Sequence, residues 1–566
     1  MIALLCSVPS DLDPPARQWL FSEVQRELVH AAETEWKDGN VNHPLGAYCA
    51  LICGGEMTGE NWAVNLGRRR LRRFRDRIGG HLSGSLRQAE MSEYHSLTYT
   101  ALSLSFLALI AGYARDEEAR ECALALEQGL WIDVAMHFHP PSQQFAGPHS
   151  RSYHEDSIGG YSVLHGAWRA AGLGEIYSNP ELSTRFRHPS DLIQNALTAI
   201  VPFHPSDRAR EIAWAKPLPY GFRMITYGES YHENGRRALP AGMPPSPENR
   251  AAQPFAFDEE VYPGGWTDLT TYMTAEYALG SAARPYVNAG HSDAVMLRYR
   301  RANAIRGMED FRSMWTRGVY NGSLPGQRNF CHTLTGEIDE SYLYEEGRTL
   351  TYQHENRLIV CYTPKRAGHA GIRSFRTDLI FSFHAPFDEL HLDGAQVTEF
   401  PARARAGARI CIRDFQTYIL VSTLVPFPSR GEFPVEIRRV GEFLLLSIFN
   451  YDGPERDFTR EEISRWRSGV ILEVRTAEEF PGWEAFLAHA GTTSAHEECD
   501  GRGIRRIRYA SDGHVMDLAC DPRREEILSR TWDGVPDRID HFHVTAAGAD
   551  RGPFCPLSLY GPEVGP

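Results

Sequence analysis

Apolar residues recur at three- and four-residue steps between Asp13 and Glu35, where Trp19, Leu20, Val24, Leu28 and Ala32 make one stripe and Pro14-Pro15 can open the first turn. This stretch predicts an amphipathic helix. A turn-rich connection, Asp38-Gly39-Asn40-Val41-Asn42-His43-Pro44, leads into the apolar run Leu45 to Cys53. Helical periodicity returns at Trp62 to Arg77, Tyr99 to Tyr113, Asp116 to Met136, Gly160 to Ala171 and Asp191 to Val201, until prolines at 217, 219, 240, 244, 245 and 247 break it. Beyond Gly264-Gly265-Trp266 short runs rich in β-branched and aromatic residues take over: Asp293 to Tyr299, Arg357 to Tyr362, Asp378 to Phe383, Ile410 to Ile412, Tyr418 to Leu424, Glu442 to Phe449 and Gly469 to Val474. Alternation in Ile504 to Tyr509 and His514 to Leu518 adds terminal strands, and the Gly- and Pro-rich end is expected to fray.

The change of period predicts an α+β chain of several domains. Paired helices joined by polar loops over residues 1–260 suggest an α/α barrel or part of one, although a plain bundle has the same periodicity. A large antiparallel β-domain with spacing suited to stacked sheets follows over 261–490, and a C-terminal β extension packed on it over 491–566. At 566 residues the chain exceeds what one core usually supports. A formal charge of -14 argues against a general nucleic-acid or membrane-surface binder. The arginines between Arg68 and Arg77 are expected on a solvated face. Ten cysteines without a CxxC pair, Cys49 and Cys53 among them, suggest reduced thiols. The opening Met-Ile-Ala-Leu-Leu-Cys-Ser-Val-Pro lacks a basic region and no later stretch reaches membrane-spanning length. The expectation is a cytoplasmic protein, or a periplasmic or secreted one if a leader has been removed.

Polar chemistry gathers at the helix ends. The run Ala146-Gly147-Pro148-His149-Ser150-Arg151-Ser152-Tyr153-His154-Glu155-Asp156 places an imidazole, a guanidinium, a phenol and carboxylates between two helical segments. Asn42-His43 and Glu93-Tyr94-His95, with Tyr99 just beyond, stand at neighbouring helix ends, so these loops can converge on one mouth. Another polar cluster, Tyr227 to Asn234 with His232 and Glu233, lies at the junction with the β-domain. A lone histidine is more often structural than catalytic, and the aggregation is what raises the odds. Neither a P-loop nor a glycine fingerprint after a strand is present, so no nucleotide cofactor is expected. The pairs His137/His139 and His541/His543 leave room for a structural or catalytic divalent metal but lack a complete zinc spacing, so the metal and cofactor expectation is none.

With Asn42-His43, Glu93-Tyr94-His95 and His149-Ser150-Arg151-Ser152-Tyr153 carrying the likeness, the chain resembles the toroid-plus-β-sandwich polysaccharide lyases, the broad alginate lyase and heparinase II/III-like group. The resemblance implies an incomplete N-terminal α/α toroid followed by a large antiparallel β-sandwich, and cleavage of uronate-containing glycans by β-elimination. Such chemistry wants a carboxylate neutraliser, Asn42 or Arg151, and a base, Tyr153 or His149. A tyrosine can also return a proton to the leaving oxygen if nearby cations lower its pKa from about 10. The expected catalytic set is therefore Tyr153, His149, Arg151 and His232, with Asn42, His43, Glu93, Tyr94, His95, Tyr99, Asp156 and Trp266 binding substrate. An inverting glycoside hydrolase competes, using two of Glu93, Asp156 and Glu233 at about 6.5–9.5 Å. A non-catalytic carbohydrate-binding protein would instead stack Tyr94, Tyr99, Tyr153 and Trp266 on sugar rings. The partner expected is an acidic or neutral glycan, with no nucleic acid or membrane, and a homo-oligomer is compatible with either reading.

Overall fold

The computed structural model describes residues 1–7, 10–34, 41–78, 89–179, 189–228, 265–284, 292–321, 345, 347–364, 370–537, 543–546 and 549–550. Helices up to Ala215 are followed by extensive antiparallel sheets, so the chain is α+β. A short helix, Ile2–Ser7, precedes the helix Pro14–Glu33, which is capped by Asp13, whose carboxylate accepts from Ala16 N at 2.7 Å. The longer helix buries Leu20, Val24, Leu28 and Ala31, whereas Trp19 is 60 % exposed. Leu20, Val24 and Leu28 of the expected stripe face the core, Ala31 joins them with Ala32 half-buried beside it, and Trp19 falls outside that arc. The helix Tyr99–Tyr113 is apolar on nearly every side and lies buried between neighbours, pairing with Glu117–His137 as a helical hairpin.

The arginine-rich helix Asn61–Ile78 does more than face solvent. Arg70 donates to Ala32 O at 2.8 Å and Thr34 O at 3.1 Å, closing the carbonyl end of the helix Pro14–Glu33. Arg68 reaches Asp116 at 2.8 Å and Arg72 reaches Glu118 at 3.1 Å, so the same helix is tied to the start of Glu117–His137.

The β-region begins at Tyr220–Gly228, earlier than the boundary at 260 taken from the pattern. Pro217 and Pro219 end the helical layer, and this strand pairs at once with Gly265–Met273 across the intervening insertion. Twelve strands form the main sheet, and a seven-stranded sheet packs on one face of it. The strand Tyr277–Ala282 shows how: Tyr277 and Leu279 enter the core between the sheets, while Ala278 and Ala282 enter the core shared with the helices. A further five-stranded antiparallel sheet, Ser494–Cys499 to Val535–Pro536, packs Ile507, Tyr509, Met516 and Leu518 against Leu350, Tyr352, Ile359 and Ile471. The strand His543–Ala546 returns to pair with Tyr220–Gly228.

Among the described residues no helix is long and apolar enough to cross a membrane. The described cysteines, Cys49 and Cys53 among them, are free thiols.

Candidate active site

Three segments build the site: the start of the helix Asn42–Cys49, the turn residues 92–98, and the loop 146–153 that enters the short helix His154–Ile158. The loop is fastened to the main sheet. His149 N donates to Asp293 O at 3.1 Å, Asp293 N returns to His149 O at 2.8 Å, and Thr271 Oγ1 donates to Gly147 O at 2.7 Å. The Asp293 carboxylate accepts from Ser157 Oγ at 2.9 Å and from Arg317. Such close seating needs Gly280, because a Cβ there would stand 1.8 Å from Gly147 O. The turn joins the loop directly, since Ser150 N and Oγ both donate to Tyr94 O, at 3.0 and 2.9 Å.

Toward the opening, Glu93 pairs with Arg151 and also accepts from Val41 N at 2.9 Å and Asn42 N at 3.1 Å. Asn42 Oδ1 is 3.5 Å from the Arg151 guanidinium. That guanidinium lies over the Tyr99 ring, 3.7 Å from its centroid, and the Tyr99 hydroxyl bonds the Tyr153 hydroxyl. Burial pushes the Glu93 carboxyl up, with Arg151 and the two amides pulling against it. Burial likewise raises the Tyr99 phenol, opposed first by Arg151 and then by its bond to Tyr153. Tyr153 is half-buried and His43 is exposed at this end. His43 is accessible yet ringed by protein, and that crowding, followed by Arg151, pushes its imidazole down to about 4.

His95 and Arg151 hold positive φ angles of 45° and 47°. A left-handed conformation in a residue other than glycine costs about 1–3 kcal/mol and persists where the surroundings dictate it, as they often do at functional sites. Here it turns the chain so that neighbours in sequence face opposite ways. His149, expected as a base beside Tyr153, points inward and is fully buried, with Nδ1 2.8 Å from His95 O. Burial, then Arg298, holds its pKa well below the ordinary range. His95 and Tyr94, expected to bind substrate, are buried as well.

Asp156 is a helix cap rather than a surface contact. Its Oδ2 accepts from Tyr153 N and Thr98 Oγ1, both at 3.1 Å, and burial pushes its carboxyl up to about 8. Arg298 from the sheet donates to the Asp156 carbonyl and, at 3.1 Å, to Gln144 Oε1. His232, Glu233 and His541 lie outside the described residues, as do the side chains of Trp266 and His543.

The structure therefore gathers Asn42, Glu93, Tyr99, Arg151 and Tyr153, with His43 beside them. It separates the His137/His139 pair. His139 bonds Ser142 Oγ at 2.7 Å and Thr274 O at 2.9 Å, while His137 sits with His95 and Asp133. Asp133 went unnoticed in the sequence, although Asp133 and His137 stand four apart at a helix end and so share a face. Asp293, Arg298 and Gly280 were missed because they reach the loop from distant strands.

Among curated proteins none matches the chain. A family model described as a domain of unknown function (DUF8769) matches residues 85–202, a span that contains Glu93, Tyr99, Arg151 and Tyr153. Solved structures similar to this chain include a variant of the Streptomyces coelicolor A3 chondroitin AC lyase, at 10 % identity and TM-score 0.33, covering 92 % of this chain and 76 % of that one. The same lyase in complex with chondroitin sulphate is similar at 12 % identity and TM-score 0.32, covering 88 % and 72 %. A heparan sulfate lyase variant from Pedobacter heparinus is similar at 8 % identity and TM-score 0.29, covering 89 % and 69 %.

Proposed function

We propose that this protein is a carbohydrate-active lyase that cleaves uronate-containing polysaccharides or oligosaccharides by β-elimination. In this proposal the helices from Pro14 to Ala215 form the incomplete α/α toroid and the sheets form its β-sandwich partner. The observation that carries the reading is the bonded phenol pair Tyr99–Tyr153, lying beside the Arg151 guanidinium and half-open to solvent at Tyr153.

Tyr153, as its phenolate, takes the proton from the carbon next to the uronate carboxylate. The freed electron pair forms the carbon–carbon double bond, the bond to the glycosidic oxygen breaks, and that oxygen takes the proton from Tyr153, which returns to the phenolate. Tyr99 shares the proton held between the two phenols. Arg151, bound on its far side by Glu93, supplies positive potential to both rings rather than reaching the sugar itself. His43, accessible at the opening, meets the substrate. Two candidate carboxylates of the hydrolase reading are engaged elsewhere: Glu93 by Arg151 and two amides, Asp156 by Tyr153 N and Thr98.

The test is to incubate the full chain with uronate-containing and neutral glycans, following both ultraviolet absorbance of unsaturated products and new reducing ends. Absorbance and reducing ends should rise together on a uronate glycan. Tyr153→Phe should keep fold and glycan binding while cutting turnover by about 10²-fold or more. Reducing ends without absorbance point to a hydrolase, and binding without either product to a non-catalytic protein.

A further inference from the structure

The inward sides of the two site loops meet at a buried group of histidines that the proposed elimination does not use. Asp133 and His137 occupy one face of the last turn of Glu117–His137, and His95 approaches from the turn before Tyr99–Tyr113. The side chains of all three are 2–3 % exposed. His95 Nδ1 is 3.0 Å from Pro148 O and His137 Nδ1 is 2.9 Å from Asp133 O. A carbonyl oxygen only accepts, so each Nδ1 carries the hydrogen, and in the neutral ring each Nε2 carries a lone pair.

Those lone pairs have nothing to accept from. His95 Nε2, His137 Nε2 and Asp133 Oδ1 have no hydrogen-bond partner among the described residues. His95 Nε2 faces Asp133 Oδ1 at 3.6 Å, His137 Nδ1 stands 3.4 Å from the same oxygen, beyond good hydrogen-bond geometry in both cases, and the two imidazole centroids are 3.2 Å apart. One ligand atom from each of the three residues lies within 4.8 Å of the others. His149 lines the same small cavity; its Nδ1–H is directed to His95 O at 2.8 Å, and its Nε2 is likewise without a partner among the described residues. Leaving a buried acceptor unmatched costs about 1–3 kcal/mol, so four in one cavity call for a shared partner.

We infer that His95, Asp133 and His137 bind a divalent transition-metal ion through His95 Nε2, His137 Nε2 and the Asp133 carboxylate, with His149 lining the same cavity. Two imidazoles and one carboxylate suit zinc best among the common divalent ions, whereas magnesium and calcium take oxygen ligands. The backbone carbonyls on each Nδ1–H are the outer partners that orient histidine ligands in such centres. Burial makes the site structural. Because His95 bonds the Pro148 carbonyl and His149 sits in loop 146–153, the ion clamps both site loops to the helix Glu117–His137.

A second triad, Glu473, His489 and Asp512, has comparable spacing. It carries no such inference, because Arg475 lies 2.9 Å from Glu473 and reaches Asp512, and Arg357 pairs with both acids. Cationic guanidinium groups already fill the place an ion would take.

The test uses the full chain without a histidine tag. It is stripped with a strong chelator, reloaded with zinc or cobalt(II), and freed of excess ion by gel filtration. Elemental analysis should find about one ion per chain, and the cobalt form should show the intense visible bands of a four-coordinate site with nitrogen ligands. The melting temperature should rise on loading. Asp133→Ala and His137→Ala should lose the ion, His149→Ala should weaken binding by about 10–100-fold, and His489→Ala should leave the stoichiometry unchanged. The wild-type cobalt spectrum reads the coordination even if a variant fails to fold. No retained ion in the reloaded wild type, six-coordinate cobalt bands, or loss of the ion in His489→Ala but not in folded His137→Ala would each overturn the assignment.

Discussion

Two faces of the same pair of loops have opposite characters. On the outward face the polar groups are matched: Glu93 with Arg151 and two amides, Arg151 with the Tyr99 ring, Tyr99 with Tyr153. On the inward face His95, Asp133, His137 and His149 each leave an acceptor unmatched among the described residues. Residue type does not separate the two, since histidines and carboxylates occur on both. Accessibility and pairing do. A matched network ending in a half-open phenol suits proton transfer to a ligand, and a buried cluster of lone pairs suits an ion. The left-handed backbone at His95 in one loop and at Arg151 in the other is what lets each short loop serve both faces.

The heaviest blow to the outward face is Glu93→Ala. It leaves Arg151 buried without its carboxylate and strips the acceptor from Val41 N and Asn42 N. Breaking a buried pair on one side costs about 3–5 kcal/mol, so chemical denaturation should show a loss of that order. Arg151→Lys should recover only part of the wild-type behaviour, because an ammonium cannot reproduce the planar stack on Tyr99. A Glu93→Ala protein of wild-type stability would show that the pair is not what shapes this face.

Gly280→Ala attacks the frame shared by both faces. Its methyl would meet Gly147 O at 1.8 Å, which is backbone and cannot swing aside, so loop 146–153 must lift from the sheet. Overpacking of this kind costs about 1–3 kcal/mol. Stability, turnover on any glycan substrate and metal retention should fall together in this variant, whereas Tyr153→Phe should lower turnover alone. If Gly280→Ala leaves all three intact, the seating of the loop on the sheet does not organise the site.

The sequence displayed the elements far better than their meeting points. The runs Arg357 to Tyr362, Tyr418 to Leu424 and Gly469 to Val474 fall inside the observed strands Arg357–Pro364, Thr417–Thr423 and Ser468–Thr476 to within a residue. Tyr99 to Tyr113 is the observed helix itself. Periodicity is a local signal, and these segments carry it strongly. The outward cluster was partly legible because its residues crowd into three short loops. The inward turn of His149 was not, because it depends on a positive φ at Arg151 and on a backbone bridge to Asp293, far along the chain. Asp156 illustrates a different loss: Asp at N3 of a short helix reads equally as a cap or as a site carboxylate, and only burial separates the two.

Asp156→Asn is the mildest change and sharpens that separation. The wild-type carboxyl is pushed up to about 8 by burial, while an unfolded aspartate titrates near about 4. A raised folded pKa means that the neutral carboxyl contributes its stability fully below about pH 4, and that this contribution is lost as pH rises through about 8. Asparagine never ionises, and its carbonyl oxygen can accept from Tyr153 N and Thr98 Oγ1 as Asp156 Oδ2 does. Melting temperatures of the two proteins should therefore coincide near pH 4 and diverge as pH rises towards 8, with the variant the more stable. Turnover should stay within a few-fold of wild type, roughly, if the carboxyl only caps the helix that starts after Tyr153, whereas a carboxylate acting as general base would lose about 10²-fold or more. A variant that is less stable than wild type at pH 8 would mean that Asp156 is ionised there, and would move it from the capping role back among the candidate acids and bases.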